Sequence, residues 1–176
     1  MLWAALPRDL CHGRGPGRER GLRGPLDDRA RRLRTLGQGG APTEFMVKGH
    51  RLQVPVAALG AARFSFPDLC VLPLGSADFL KLAREYHTLV IERIPVMRFG
   101  QRNEAKRFIV LIDTLYDNAV KLVAAAEADP LSLYRASEGV EAMEFQRTSS
   151  RLIEMGSESY LALPHGHGEG SKAAGG

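Results

Sequence analysis

The sequence predicts an α/β fold in which a β-hairpin leads into a short parallel βαβ sheet with flanking helices. Three observations support this: apolar residues alternate on both sides of a glycine turn, two apolar runs follow, and a helical pattern of about 16 residues separates those runs. The chain has 176 residues, of which 44% are hydrophobic, so one domain with its own core is expected. We place that domain at residues 43–163.

The predicted hairpin consists of residues 44–48 and 51–56. Apolar and polar residues alternate in both runs, and Gly49 lies between them at the expected turn. A further extended run, residues 61–66, stops at Pro67, where a turn or short helix is expected to begin. The first half of the domain is therefore predicted to supply strands.

The parallel unit is predicted from residues 88–91 and 120–125, which are two short apolar runs. Residues 103–117 lie between them and have the composition of a helix, with Asn103 as the expected N-cap and Glu104 in the first turn. A strand, a helix and a strand in this order predict a right-handed crossover between parallel neighbours.

The run Ile109 to Asp113 allows two interpretations. It could be a strand whose terminal Asp113 holds the magnesium ion of a nucleotide, or it could be one side of a buried helix. No turn residue precedes the run, and the apolar residues recur at helical spacing, so we favour the helix. Asp113 and Asp117 then lie outside the apolar stripe on the exposed side. The stripe consists of Phe108, Leu111, Ile112, Leu115 and Tyr116.

Three further helices are predicted. Residues 76–86 begin at Ser76 as the N-cap, a short helix begins at Pro130 with Asp129 as its cap, and residues 141–155 have helical periodicity.

Residues 1–42 form a basic, low-complexity arm. Residues 1–34 contain nine arginines and four acidic residues, whereas the whole chain has 24 basic and 20 acidic side chains, so the remainder is close to neutral. The glycine, proline and arginine composition of residues 11–25 predicts disorder, and residues 26–36 predict a short basic helix with Leu26, Leu33 and Leu36 near one side. The arm either binds a nucleic acid or acidic partner or is a solvated tail; we favour the tail, and nucleic-acid binding is not expected.

Residues 164–176 predict a flexible, glycine-rich tail. Its His165 and His167, with Glu169, are too few and too loosely held for a fixed metal site, so no metal ligands are predicted. Two cysteines, Cys11 and Cys70, indicate a reducing compartment, and we expect a cytoplasmic protein. No apolar run approaches the roughly 18 residues of a membrane helix, so no membrane insertion is expected.

A complete phosphate-binding loop is not predicted, because no glycine is followed directly by lysine anywhere in the sequence. No Gly-x-Ser-x-Gly motif is present either, so a serine hydrolase has no support. The remaining candidates for chemistry are Arg107, Arg147 and Arg151. Each could form a salt bridge to Glu144, Glu154 or Asp113, or it could contact a phosphate as a nucleotide sensor or arginine finger.

Six consecutive blocks of this sequence resemble the C-terminal part of the ZapE/AFG-like AAA+ ATPase family. The resemblance as a whole covers about residues 43–163, in order and without large gaps. The blocks are R63-F-S-F-P-D-L-C70, P73-L-G-S-A-D-F79, H87-T-L-V-I-E-R-I-P95, R102-N-E-A-K-R-F-I-V-L-I-D-T-L-Y-D117, V120-K-L-V-A-A-A-E-A128 and F145-Q-R-T-S-S-R-L-I-E-M155.

The resemblance implies a partial P-loop-NTPase-type (AAA+) unit and a family that hydrolyses ATP with Mg²⁺, linked to cell division in bacteria and to protein quality control in mitochondria. The family's phosphate-binding loop, magnesium-binding acid and first sensor precede the matching region. We therefore expect a truncated member that neither binds ATP nor hydrolyses it alone, whose catalytic residues are unknown. Its enzymatic status stays open at this point.

The resemblance also implies partners. The chain is expected to self-associate or to dock onto a separate ATPase core, and the family implies a cell-division protein as partner. Docking onto a core predicts an exposed apolar sheet face at residues 88–91 and 121–124. The alternative is a non-enzymatic interaction module that binds a protein or nucleic acid through the basic arm.

Overall fold

The computed structural model describes residues 39–136 and 139–166, and these contain a five-stranded sheet with four α-helices. The strands are β1 (Ala41–Val47), β2 (His50–Ala58), β3 (Ala61–Ser65), β4 (Thr88–Ile94) and β5 (Lys121–Ala126). The helices are α1 (Ser76–Glu85), α2 (Arg102–Asp117), α3 (Val140–Glu154) and α4 (Glu158–Ala162). A π-helical turn, Pro67–Val71, and two short 3₁₀ turns, Phe99–Gln101 and Pro130–Ser132, complete the elements.

The strands are arranged in the order β1-β2-β3-β4-β5. The first three are antiparallel neighbours, whereas β3, β4 and β5 are parallel. The predicted hairpin and the predicted parallel βαβ unit are both confirmed. A second parallel crossover, from β3 through α1 to β4, joins them into one mixed sheet.

All four helices contribute to a core on one side of the sheet. Both parallel crossovers move the chain in the same direction across the sheet, and right-handed crossovers of that kind place their helices on the same face. Accordingly, Phe79 of α1 and Leu111 of α2 belong to the same buried cluster as Leu89 and Ile91 of β4. The ring of Phe108 in α2 lies between Phe66 and Phe145, with centroid distances of 5.9 and 6.1 Å. Burial of each such side chain contributes about 1.5–3 kcal/mol.

The opposite side of the sheet carries a row of residues that are neighbours in register: Val56, Arg63, Val90 and Val123. We call this side the second face. No helix of the described residues contributes to it, yet Val90 is only 7% exposed and Ala61 is fully buried. Thr88 is also 7% exposed. The exposed apolar face expected at these strands is thus not seen at Thr88 and Val90, and docking onto a separate core stays a prediction.

Two predicted helix starts were wrong by a residue or two. Ser76 is the first residue of α1 rather than its cap; Gly75 takes that place, and the Asp78 carboxylate accepts the Gly75 N–H at 2.9 Å. Asn103 lies inside α2, because the 3₁₀ turn that ends at Gln101 runs directly into the helix. Helix ends depend on such local side-chain bonds, which periodicity does not reveal.

The hairpin is joined to α1 by a buried carboxylate. Asp78 is buried, and its second oxygen lies 2.7 Å from the Nε2 atom of His50 at the hairpin turn. One side chain therefore closes the start of α1 and holds the hairpin against it.

The predicted disordered arm and its helix at residues 26–36 lie outside the described residues, as does the tail from residue 167 onward. The described part begins just before β1, which starts at Ala41, two residues earlier than the predicted domain boundary.

Candidate functional site

Two arginines of α3 converge on one carboxylate of α2. The Nη2 atom of Arg147 donates a hydrogen bond to Asp113 Oδ2 at 2.7 Å, and the Nη1 atom of Arg151 lies 2.5 Å from Asp113 Oδ1. Arg147 and Arg151 are four residues apart on a helix and so lie on the same side of it. Asp113 Oδ1 is shielded from solvent, and its contact with Arg151 is an ion pair rather than an aligned hydrogen bond.

Arg151 is the more firmly held of the two arginines. Besides Asp113, its guanidinium lies 3.8 Å from the Asp117 carboxylate and 4.9 Å from the centre of the Tyr116 ring. A hydrogen bond to Glu154, together with burial, raises the pKa of Tyr116. The Arg151 side chain is 23% exposed. Through these contacts Arg151 links α3 to α2.

Arg147 is held differently. Its side chain is 57% exposed and contacts a single charged partner, Asp113, among the described residues. An exposed ion pair contributes about 0–1 kcal/mol, because water screens the charges and the side chain loses freedom when it is held. The guanidinium of Arg147 can therefore leave Asp113 at little cost.

Arg107 lies elsewhere on α2 and has a structural contact. Its Nη1 atom donates a hydrogen bond of 2.9 Å to the backbone oxygen of Cys70, in the π-helical turn. That turn leaves carbonyl groups without partners at its end, and a guanidinium there supplies a donor and a favourable charge. Burial raises the pKa of the Cys70 thiol, which makes it an unreactive core residue. The structure thus brings Arg147 and Arg151 together and leaves Arg107 apart.

Several other polar residues have structural partners. Glu92, which ends an apolar run, pairs with Arg63 across β3 and β4 at 2.9 Å. His87 contacts Thr88 Oγ1 and the Leu59 carbonyl, and the ring of His165 contacts the Ala83 carbonyl. The described residues contain no group of three metal-ligating side chains.

Sequence reasoning underestimated Asp113. The helical pattern placed it on the exposed side of α2, but its side chain is 23% exposed and receives both arginines. A signal was present: Asp113 and Asp117 are four residues apart, as are Arg147 and Arg151, so two oppositely charged pairs can face each other across packed helices. Lys106 and Glu144 add a parallel contact between α2 and α3, at 3.2 Å.

The residues that the structure describes do not fit a complete ATP and Mg²⁺ site. A phosphate-binding loop needs free glycine amides at the start of a helix and a following lysine. Gly40 instead leads into strand β1, and a Cβ atom at Gly40 would lie 2.3 Å from Val56 Cγ1. The absence of a side chain at Gly40 therefore lets the backbone pack closely against Val56 of the sheet.

A partly parallel sheet with crossover helices on one face, and arginines presented by an outer helix, is the architecture of part of a P-loop-NTPase-type α/β unit. The family model described as AFG1-like ATPase matches residues 26–164. The chain belongs to the AFG1-like ATPase family.

Two relatives show the extent of the similarity. The chain is 39% identical over 115 residues to "Cell division protein ZapE" of Escherichia coli K12, a match that covers 63% of this chain and 30% of that protein. It is 30% identical over 151 residues to "Lactation elevated protein 1 homolog B" of Danio rerio, covering 68% and 30%. The chain thus spans about a third of the length of these relatives. No solved structure matches it significantly.

None of the described helices has both the length and the apolar character needed to cross a bilayer.

Proposed function

We propose that this chain is the distal, arginine-presenting part of an ATP-hydrolysing AFG1-like ATPase and that it does not hydrolyse ATP by itself. The observation that supports this most directly is the contrast between the two arginines at Asp113. Arg151 is fixed by several contacts, whereas Arg147 is exposed and held by one ion pair. Arg147 is therefore our candidate for the residue that contacts the phosphates of ATP bound by another part of the assembly.

The interaction free energies favour a move of the Arg147 guanidinium from Asp113 to a phosphate. Moving Arg147 away from Asp113 gives up about 0–1 kcal/mol. A guanidinium that reaches a phosphate gains charge-assisted hydrogen bonds of about 1.5–3 kcal/mol, in a planar geometry that suits two oxygens at once. Asp113 keeps Arg151 as its counter-charge when Arg147 leaves, so the carboxylate is not left unpaired.

The nucleotide itself is expected to bind on a P-loop-containing polypeptide rather than on this chain. This rests on the missing Gly-Lys pair and on the contact of Gly40 with the sheet. We further propose a cytoplasmic location and, from the name of the Escherichia coli relative, a cell-division protein among the partners of the assembly. Arg107 is assigned to structural support, because its guanidinium is bonded to the Cys70 carbonyl.

A chimera tests the proposal. In the Escherichia coli relative, the 115-residue segment that matches this chain is replaced by the corresponding residues of this chain, and release of phosphate from ATP is measured. We expect the chimera to hydrolyse ATP. Arg147→Ala should lower its rate at least about tenfold while ATP binding is retained, because an arginine that acts on the transferred phosphoryl group affects the rate more than binding.

Two variants sharpen the result. Arg147→Lys should also be slow, since lysine lacks the forked donors of arginine. Arg135→Ala removes another exposed arginine and should leave the rate unchanged. A chimera that is equally fast with Arg147→Ala, or micromolar ATP binding by the isolated chain in calorimetry, would contradict the proposal.

A further inference from the structure

The second face of the sheet lacks a covering element among the described residues. Strands of a parallel sheet are normally covered on both faces, and the central row of this face is largely apolar. Its row of Val56, Val90 and Val123 is interrupted only by Arg63, whose charge is paired with Glu92. We therefore expect another segment or protein to pack against this face.

The chain enters the described domain on this face. Gly40 immediately precedes β1, and its backbone is so close to Val56 that a Cβ atom would lie 2.3 Å from Val56 Cγ1. Val56 belongs to the second face, because it is the register neighbour of Arg63. The chain before Gly40 therefore starts next to the second face and not next to the main core.

Residues 26–36, which precede Gly40, have the properties expected of a helix that packs against this face. The AFG1-like family match starts at residue 26, so residues 26–36 belong to the family unit. As a helix they would place three leucines near one side and Arg31 and Arg34 on the other. Eleven helical residues span about 16 Å, and the four-strand row from Val56 to Val123 spans about 14 Å. Residues 37–40 reach at most about 14 Å, which confines the helix to this neighbourhood.

We propose that residues 26–36 form an amphipathic helix that lies across the second face. Leu26, Leu33 and Leu36 pack against the row that includes Val90 and Val123, and Arg31 and Arg34 point to solvent. Val90 and Ala61 are almost completely buried although no described helix packs against them. The inference is independent of ATP hydrolysis, because it concerns the opposite side of the sheet from Arg147.

Disulfide trapping in the full chain tests the placement. In a Cys11→Ser background, Leu33→Cys is combined with Val123→Cys, and mild oxidation at low protein concentration is followed on non-reducing gels and by mass spectrometry. The matched control combines Thr35→Cys with Val123→Cys, since residue 35 would lie on the far side of the helix. We expect the Leu33 pair to form the intramolecular disulfide at least about tenfold faster than the Thr35 pair.

Equal rates for the two pairs would overturn the proposal, because residues 26–36 would then have no fixed side toward the sheet. Disulfide-linked dimers in place of cross-linked monomers would also overturn it and would assign the face to a second copy of the chain.

A second measurement does not depend on cross-linking. Leu33→Asp should lower the melting temperature and increase binding of a hydrophobic dye, whereas Thr35→Asp should change neither. If Leu33→Asp behaves like Thr35→Asp, the helix does not cover the face, and a separate polypeptide is the occupant.

Discussion

The carboxylate of Asp113 in α2 lies 2.7 Å from the guanidinium of Arg147 in α3, a residue 34 positions away in the chain. Because Arg151 binds the same carboxylate, Asp113 is the centre of the contact between α2 and α3. A residue that looks like a solvent-facing acid in the sequence therefore organises the candidate site.

Substitution of Asp113 should weaken the α2 and α3 contact. Asp113→Asn keeps the size of the side chain but removes the charge that neutralises two arginines, so we expect a loss of about 1–2 kcal/mol in the free energy of unfolding. Urea denaturation followed by circular dichroism measures it. Asp117→Asn, at a more exposed carboxylate with a longer contact, should cost clearly less. Equal losses for both variants would show that Asp113 is not the central acceptor.

Arg107 should matter for stability rather than for ATP hydrolysis. Arg107→Met keeps an apolar stem but removes the donor to the Cys70 carbonyl, which leaves that oxygen without its partner at a cost of about 1–3 kcal/mol. Arg147→Met removes an exposed ion pair and should cost less than about 1 kcal/mol. The comparison is made by chemical denaturation of the two variants. A larger loss for Arg147→Met would contradict the structural assignment of Arg107.

Tyr160 should make the stability of the fold sensitive to alkaline pH. Its hydroxyl lies within 3.3 Å of the carbonyls of Leu115, Tyr116 and Val120, and burial raises its pKa above the ordinary value of 10.0. Because the folded state prefers the neutral phenol, this stabilisation is complete below pH 10 and is lost as the pH rises from there toward the folded pKa.

We therefore expect the free energy of unfolding to fall more steeply between pH 9 and about pH 11 in the natural sequence than in Tyr160→Phe, by up to about 1.4 kcal/mol per pH unit. Denaturation midpoints at the two pH values measure this difference. Parallel pH profiles for the two proteins would show that Tyr160 is not the responsible group.

The turn between β2 and β3 offers a stabilising substitution. Leu59 and Gly60 have φ angles of 51° and 73°, the left-handed conformations of a type I′ hairpin turn. Leucine is strained there and 69% exposed, whereas asparagine tolerates this conformation. Leu59→Asn should raise the free energy of unfolding by about 0.5–1 kcal/mol. Leu131→Asn, at an equally exposed leucine outside such a turn, should give no gain; similar gains at both sites would point to lost surface hydrophobicity instead.

Much of the fold follows from local sequence patterns. Alternation around Gly49 predicted the β1 and β2 hairpin, and the stripe from Phe108 to Tyr116 identified α2 and rejected a magnesium-binding strand. These features depend on residues within one or two helical turns of each other, and periodicity reports them directly. The helix α4 was missed because its five residues are too few for a period; its Ser157 cap was the available signal.

The sequence by itself determined the α/β class, the order of the elements from β1 to α3, the family resemblance and the set of three arginines. Only the tertiary structure decided that Arg147 and Arg151 share Asp113, that Arg107 supports Cys70, and that Gly40 leads the chain onto the second face. Those contacts join residues 34, 37 and 16 positions apart, so they depend on how the helices and strands pack and not on the pattern within any one of them.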